Sequence, residues 1–205
     1  MRLSPRFDSA LVFAAQLHAD QIRKGSGIPY ISHLLAVAGI ALDYGADEDE
    51  AIAALLHDAV EDGGGASMAD RIRRHFGDEV ADIVLGCSDT DQTPKPPWKE
   101  RKEHYVAHLE FASPSIRLVS ASDKLHNARA ILRNLRLVGE HLWTRFSAGK
   151  ADVLWYYRSL TRKFLACGPR DLGEELDRVV TTIETMAKAI EMAKEIENEQ
   201  KPPTG

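Results

Sequence analysis

The chain has 205 residues, a formal net charge of -5 at pH 7, 44% hydrophobic residues and 28% charged residues. That length supports one domain with a sizeable core or two small ones, and the balance is that of a soluble globular protein. The acidic surplus argues against a general nucleic-acid binder, though a small anionic ligand could still be held by a few local cations. No run of 18 apolar residues is present to span a membrane, and the opening MRLSPRFDSA lacks the apolar stretch of a secretory signal. Cys87 and Cys167 are the two cysteines, without CxxC spacing. They imply reduced thiols in a cytoplasmic protein, with neither a disulfide scaffold nor a cysteine zinc site.

Helical spacing runs through almost the whole chain. Residues 6 to 22 place Phe7, Leu11, Ala14, Ala15 and Ile22 at three- and four-residue steps. A Gly/Pro loop, KGSGIP, follows. Residues 31 to 45 read as a second helix ending at Gly45. Asp47 is positioned to cap a third, running from about Glu48 into ALLHDAVED and stopped by the glycines at 63 to 65. A fourth helix near 67 to 75 is entered through Ser67 and ended by FGD, and a fifth covers about 78 to 87. SDTDQTPKPPW is a proline-rich loop. Helices then fit 98 to 112, 115 to 136, 149 to 167 and 171 to 198. SIRLVSA could pass for a strand but leads directly into a helical run. The expected architecture is therefore all-α, one bundle of about nine helices over residues 1–200, with a frayed tail at 201–205. The last helix carries an apolar stripe at Leu172, Leu176, Val179, Val180, Ile183, Met186 and Ile190. Packing within the chain explains the stripe, and a homodimer interface is the alternative.

The chemistry concentrates in ALLHDAVED, residues 54 to 62, where His57, Asp58, Glu61 and Asp62 interrupt small and aliphatic side chains. Unpaired charge is costly in a core, so these groups should be paired, solvated or metal-bound. His57 and Glu61 are four apart, as are Asp58 and Asp62, and on one helix the two pairs would occupy adjacent faces. A solvated acidic C-terminal turn is the simpler reading, but carboxylates there oppose the helix dipole. His33, at the start of an apolar helix, and Asp123, inside another, are further candidates. Two histidines and two aspartates make a nitrogen and oxygen site suited to Mn²⁺, Fe²⁺, Zn²⁺ or Mg²⁺.

The order H…HD…D formed by His33, His57, Asp58 and Asp123 resembles the HD superfamily of metal-dependent phosphohydrolases. AAQLHADQIRKGSGIPYISHLLAVAGI, ALLHDAVED with IRRHFGDEVADIV, and SASDKLHNARAIL together are similar to the hydrolase domain of the RelA/SpoT proteins, over roughly residues 5 to 165. The resemblance implies a stand-alone alarmone hydrolase that uses Mn²⁺ to remove pyrophosphate from the 3′ position of ppGpp and pppGpp. It implies that His33, His57, Asp58 and Asp123 hold the metal. Glu61 and Asp62 would handle the attacking water, and Arg23 and Lys24 would meet the nucleotide. Asn127, four residues after Asp123, is a sugar or phosphate contact. Tyr156 falls near a family tyrosine that touches the nucleotide, with Tyr157 its rival in register. Lys124 either balances charge or faces solvent. The partner is thus a guanine nucleotide, with no nucleic acid and no membrane. Two other readings use the same motif: another HD nucleotide phosphohydrolase, NADPH among its substrates, or a non-catalytic nucleotide sensor. His104 with His108, His18, and the basic group Lys95, Lys99, Arg101 and Lys102 are better explained by solvation or structure. GGGAS after the acidic pair is richer in glycine than the family pattern.

Overall fold

A computed structural model describes residues 2–90 and 94–199, with the side chains of 62, 198 and 199 outside that description. The expected frayed tail at 201–205, and residues 91–93 of the expected loop, lie outside the described residues.

Ten α-helices form the described chain: α1 Pro5–Leu17, α2 Ile31–Asp43, α3 Glu48–Leu56, α4 Ala59–Gly63, α5 Ala66–Phe76, α6 Asp78–Cys87, α7 Trp98–His108, α8 Pro114–Val138, α9 Lys150–Cys167 and α10 Arg170–Glu199. A 3₁₀ segment, Gly139–Arg145, joins α8 to α9. The all-α expectation holds, and no strand is found among the described residues. Local chemistry explains several boundaries. Ser4 caps α1 by accepting from the Arg6 amide, with Pro5 at the first helical position. Asp47 and Glu50 form the reciprocal capping box that opens α3. Gly64 and Gly65 adopt φ of 115° and 62°, a conformation open to glycine, and turn the chain from α4 into α5. Ser67 does not cap α5, which starts at Ala66; its hydroxyl donates to the Gly64 carbonyl instead.

Two expected boundaries move. The first helix stops at Leu17 rather than 22, because residues 18–30 fold into a narrow loop. Its neck is closed by the Arg23 amide on the Ile28 carbonyl at 2.8 Å and the Tyr30 amide on the Gln21 carbonyl at 2.9 Å. The acidic stretch is divided between α3 and α4. Asp58 sits at φ −95°, ψ −4°, in the sparsely occupied bridge region where many functional residues are found.

The core centres on α3, whose residues from Ala51 to Leu56 are all buried against α1, α2, α6 and α8. Each of Ile52, Leu55 and Leu56 is fully buried, contributing about 1.5–3 kcal/mol of transfer free energy. The 25-residue α8 is the spine, touching α2, α3, α6, α9, α10 and the 3₁₀ segment. The stripe of α10 faces inward: Leu172, Leu176, Val180 and Ile183 are buried, and the helix packs on α8 and α9. No helix among the described residues is long and apolar enough to cross a membrane.

Candidate metal centre and adjoining cleft

Four side chains converge from three directions. α2 contributes His33, the α3–α4 junction His57 and Asp58, and α8 Asp123. His33 Nε2 lies 3.2 Å from Asp123 Oδ1 and 3.6 Å from Asp58 Oδ2. His57 Nε2 lies 3.1 Å from Asp58 Oδ2 and 3.6 Å from Asp123 Oδ1. Donor atoms of His33, His57 and Asp58 fall within 4.8 Å of one another, as a bound ion requires.

The histidine protonation follows from the outer contacts. His57 Nδ1 is 2.9 Å from the Ala54 carbonyl, which can only accept, so Nδ1 carries the proton and Nε2 the lone pair. That Nε2 is buried and has no aligned hydrogen-bond partner despite its nearness to Asp58. In the neutral ring that lone pair is aimed at two carboxylates and calls for a cation between them: a bound metal or, without one, a second proton on Nε2. The titration reflects the second case. Burial alone would depress His57, but Asp58 and Asp123 outweigh it and hold its pKa well above the usual imidazole value. Burial would raise both aspartates, yet His57 and His33 hold Asp58, and chiefly Lys124 holds Asp123, well below the ordinary carboxylate range. A site that keeps a buried and a part-buried carboxylate ionised beside two imidazoles fits a divalent metal by its donor chemistry.

Supporting residues fix the carboxylates. The Tyr30 hydroxyl donates to Asp58 Oδ2 at 2.6 Å, and the Tyr30 ring stacks on buried His18, whose Nδ1 meets Gln21 at 2.7 Å. Lys124 is not in solvent: its Nζ donates to Asp123 Oδ2 at 2.5 Å. Asn127 Nδ2 donates to Asp123 Oδ1 at 2.5 Å while its Oδ1 accepts from Arg23 at 2.6 Å. His126 stands beside His33, and burial, His33 and Arg23 together push its pKa down to about 4.

A cleft of ≈ 370 Å³ adjoins this cluster, its wall shared through Tyr30 and Asn127. Arg23, Lys24, Arg133 and Arg145 line it, with no carboxylate among its lining residues. In a chain of net charge -5 this local surplus selects an anion. Leu142, Phe146 and Ile131 supply an apolar wall. Gly25, at φ 76°, lets the loop come close: a Cβ there would meet Arg145 Cδ at 3.0 Å. Tyr157 lines the cleft. Tyr156 is buried, edge-on to Trp98 and Tyr157, with its hydroxyl unpartnered.

Because α4 begins after Asp58, Glu61 follows Asp58 by one short turn rather than sharing a continuous helix with His57. Its carboxylate accepts from the Asp89 amide at 3.0 Å and from Lys95 at 3.2 Å. The side chain of Asp62 lies outside the described residues. The basic group is already paired: Lys99 with Asp152, and Arg101 and Lys102 with Asp89. His104 and His108 are exposed on α7. Sequence reasoning missed Tyr30, His126, Arg133 and Arg145. The first two sit beside quoted motif residues, whereas the last two lack any periodic or motif signal.

A helical bundle that brings two histidines and two aspartates together beside a cationic cleft has the form of a metal-dependent phosphohydrolase. The HD domain family model matches residues 10–154, and the chain belongs to that family, which implies a divalent metal. It is 40% identical over 134 residues to the guanosine-3′,5′-bis(diphosphate) 3′-pyrophosphohydrolase MESH1 of Xenopus tropicalis, covering 62% of this chain and 72% of that protein. The Homo sapiens protein of the same name is 39% identical over 124 residues, covering 59% and 66%. A probable GTP pyrophosphokinase of Mycobacterium leprae is 38% identical over 123 residues, which span 60% of this chain but only 15% of that protein. Among solved structures, a metazoan ortholog of SpoT described as hydrolysing ppGpp superposes with a TM-score of 0.70 at 25% identity, covering 87% of this chain and 96% of its own.

Proposed function

We propose that the chain is a guanosine-3′,5′-bis(diphosphate) 3′-pyrophosphohydrolase, converting ppGpp and water to GDP and pyrophosphate, and pppGpp to GTP and pyrophosphate. The observation that carries this is the junction of the four-donor cluster with a cleft lined by four cations and no carboxylate. The names of the relatives supply the substrate. On this reading residues 1–200 act as one hydrolase domain in the cytoplasm.

His33, His57, Asp58 and Asp123 would hold Mn²⁺, which when bound polarises a phosphoryl oxygen and acidifies a water. Tyr30 and Lys124 keep the two carboxylates oriented, so the donor set is arranged before metal arrives. Glu61 and Asp62 orient the attacking water and take its proton. Support for Glu61 in that role comes from its one-turn spacing from Asp58 and from the Asp89 amide that fixes its carboxylate. Arg23 clamps phosphate by its planar fork, Lys24 adds a point charge, and Asn127 contacts the sugar or phosphate. Tyr157, rather than its neighbour Tyr156, meets the nucleotide, because it is the one on the cleft wall. The apolar wall of Ile131, Leu142 and Phe146 accepts the base.

The test is incubation of the purified chain with Mn²⁺ and ppGpp. Pyrophosphate and GDP should appear in equal amounts and vanish with chelator. Release of orthophosphate alone, or of nothing, refutes the assignment.

A further inference from the structure

His126 Nδ1 lies 2.7 Å from His33 Nδ1 and 3.2 Å from a guanidinium nitrogen of Arg23. Two nitrogens of imidazole rings attract only if one holds a proton and the other a lone pair. Arg23 decides which. A guanidinium has donors and no acceptor, so His126 Nδ1 must present the lone pair. The proton between the rings therefore belongs to His33 Nδ1. That assignment leaves the lone pair of His33 on Nε2, the atom 3.2 Å from Asp123 Oδ1 and facing the donor cluster. Had His126 held the proton, His33 would present an N–H to the metal position and could not ligate.

The same arginine reaches the opposite side of the cluster. Its second nitrogen donates to Asn127, which donates to Asp123. Arg23 thus touches His33 through His126 and Asp123 through Asn127, and the contacts close on themselves. The two rings meet edge to edge, their centroids 4.8 Å apart and their planes tilted by 33°.

We infer that His126 is a positioning residue that fixes the metal-binding tautomer of His33 and ties it to the nucleotide-facing Arg23. The inference rests on the reading of His33 as a metal ligand. An outer partner of a metal-bound histidine sets its ring orientation and basicity.

The test is Mn²⁺ titration of the chelator-stripped full chain, read from the magnetic-resonance signal of free Mn²⁺, with no substrate present. Three variants differ in what they place at the Nδ1 position. His126→Leu removes the acceptor, His126→Gln moves an amide toward the Nε2 position, and His126→Asn puts an amide oxygen where Nδ1 was. The Leu and Gln variants should weaken Mn²⁺ binding about 10- to 100-fold, and Asn should stay close to the unmodified chain. Nitrogen-15 shifts of His33 should show its proton on Nδ1 in the unmodified chain and a mixture of tautomers in the Leu variant. If the Leu variant does not fold, the contrast of Asn with Gln carries the same test. Unaltered Mn²⁺ binding by Leu and Gln, or equal loss in Asn, overturns the inference alone. An unmodified chain that takes up no Mn²⁺ overturns the metal assignment, and this inference with it.

Discussion

Lys124 offers the sharpest test of how the centre is held together in the absence of metal. Its ammonium is 2.5 Å from Asp123 Oδ2, with the two side chains only 14% and 7% exposed. Burial would depress the Lys124 pKa, yet the Asp123 carboxylate beside it holds it well above the usual value. Replacing Lys124 by Met keeps much of the volume and strands the Asp123 charge, a change that costs about 3–5 kcal/mol when a buried pair is broken from one side. For a chain of this size that corresponds to a fall in Tm of about 6–20 °C. The assay is thermal unfolding by circular dichroism after chelation, repeated with Mn²⁺. A divalent ion supplies the charge that the lysine gave, so Mn²⁺ should raise the Tm of the variant more than that of the unmodified chain. Removing both charges, with Asp123→Asn added, should cost less than Lys124→Met alone. A chelated variant melting within a degree or two of the unmodified chain would refute the buried-pair argument. Equal metal increments in the two proteins would refute the idea that Lys124 acts as the resident counter-charge.

Two further outcomes are expected. Glu61→Gln combined with Asp62→Asn should leave Mn²⁺ affinity intact and lower turnover about 10²- to 10⁴-fold; parallel loss of both would assign these residues to ligation instead. Asp89, whose carboxylate is buried but held below its usual pKa by Lys102 and Arg101, stabilises the fold in full above its unfolded value of about 3.9 and loses that contribution as pH falls through the lower folded value. Asp89→Asn should therefore be less stable than the unmodified chain at pH 7 in urea titrations, with the gap narrowing toward pH 3; a gap that does not change with pH contradicts the assignment.

The helices were legible because their apolar residues recur at helical spacing and their caps are explicit, as at Asp47 and Glu50. The donor set was legible for a different reason: His57 and Asp58 in an apolar run are too costly to be incidental, and His33 and Asp123 share that anomaly. The division of α3 from α4 was not legible, because Asp58 departs from the helix by backbone torsion alone, with no proline or glycine beside it. Lys124 could not be placed from the sequence, since a lysine beside an aspartate reads equally as exposed or paired. The far wall of the cleft escaped for want of any pattern. HLWTRFS forms no periodic stripe, yet the 3₁₀ turn it makes, and the residues just after it, deliver Leu142, Arg145 and Phe146. The choice between Tyr156 and Tyr157 was not legible, because one residue is 100° on a helix, and it is Tyr157 that lines the cleft.

The wall made by that turn has a remote anchor. Lys150 binds Glu140 at 2.9 Å, Glu191 at 2.7 Å and the Ala187 carbonyl at 3.3 Å, so one ammonium pins the turn to the far half of α10. The family match ends at residue 154, well short of that anchor. A shortened version cut after α9 would retain every donor and every residue of the cleft, yet the cleft's apolar wall would lose the brace that keeps it at a set distance from the Arg23 loop. Anyone trimming this chain to a minimal catalyst should set the cut beyond Glu191, and a stapled or lengthened α10 offers a handle for adjusting cleft width without touching a single ligand-facing side chain.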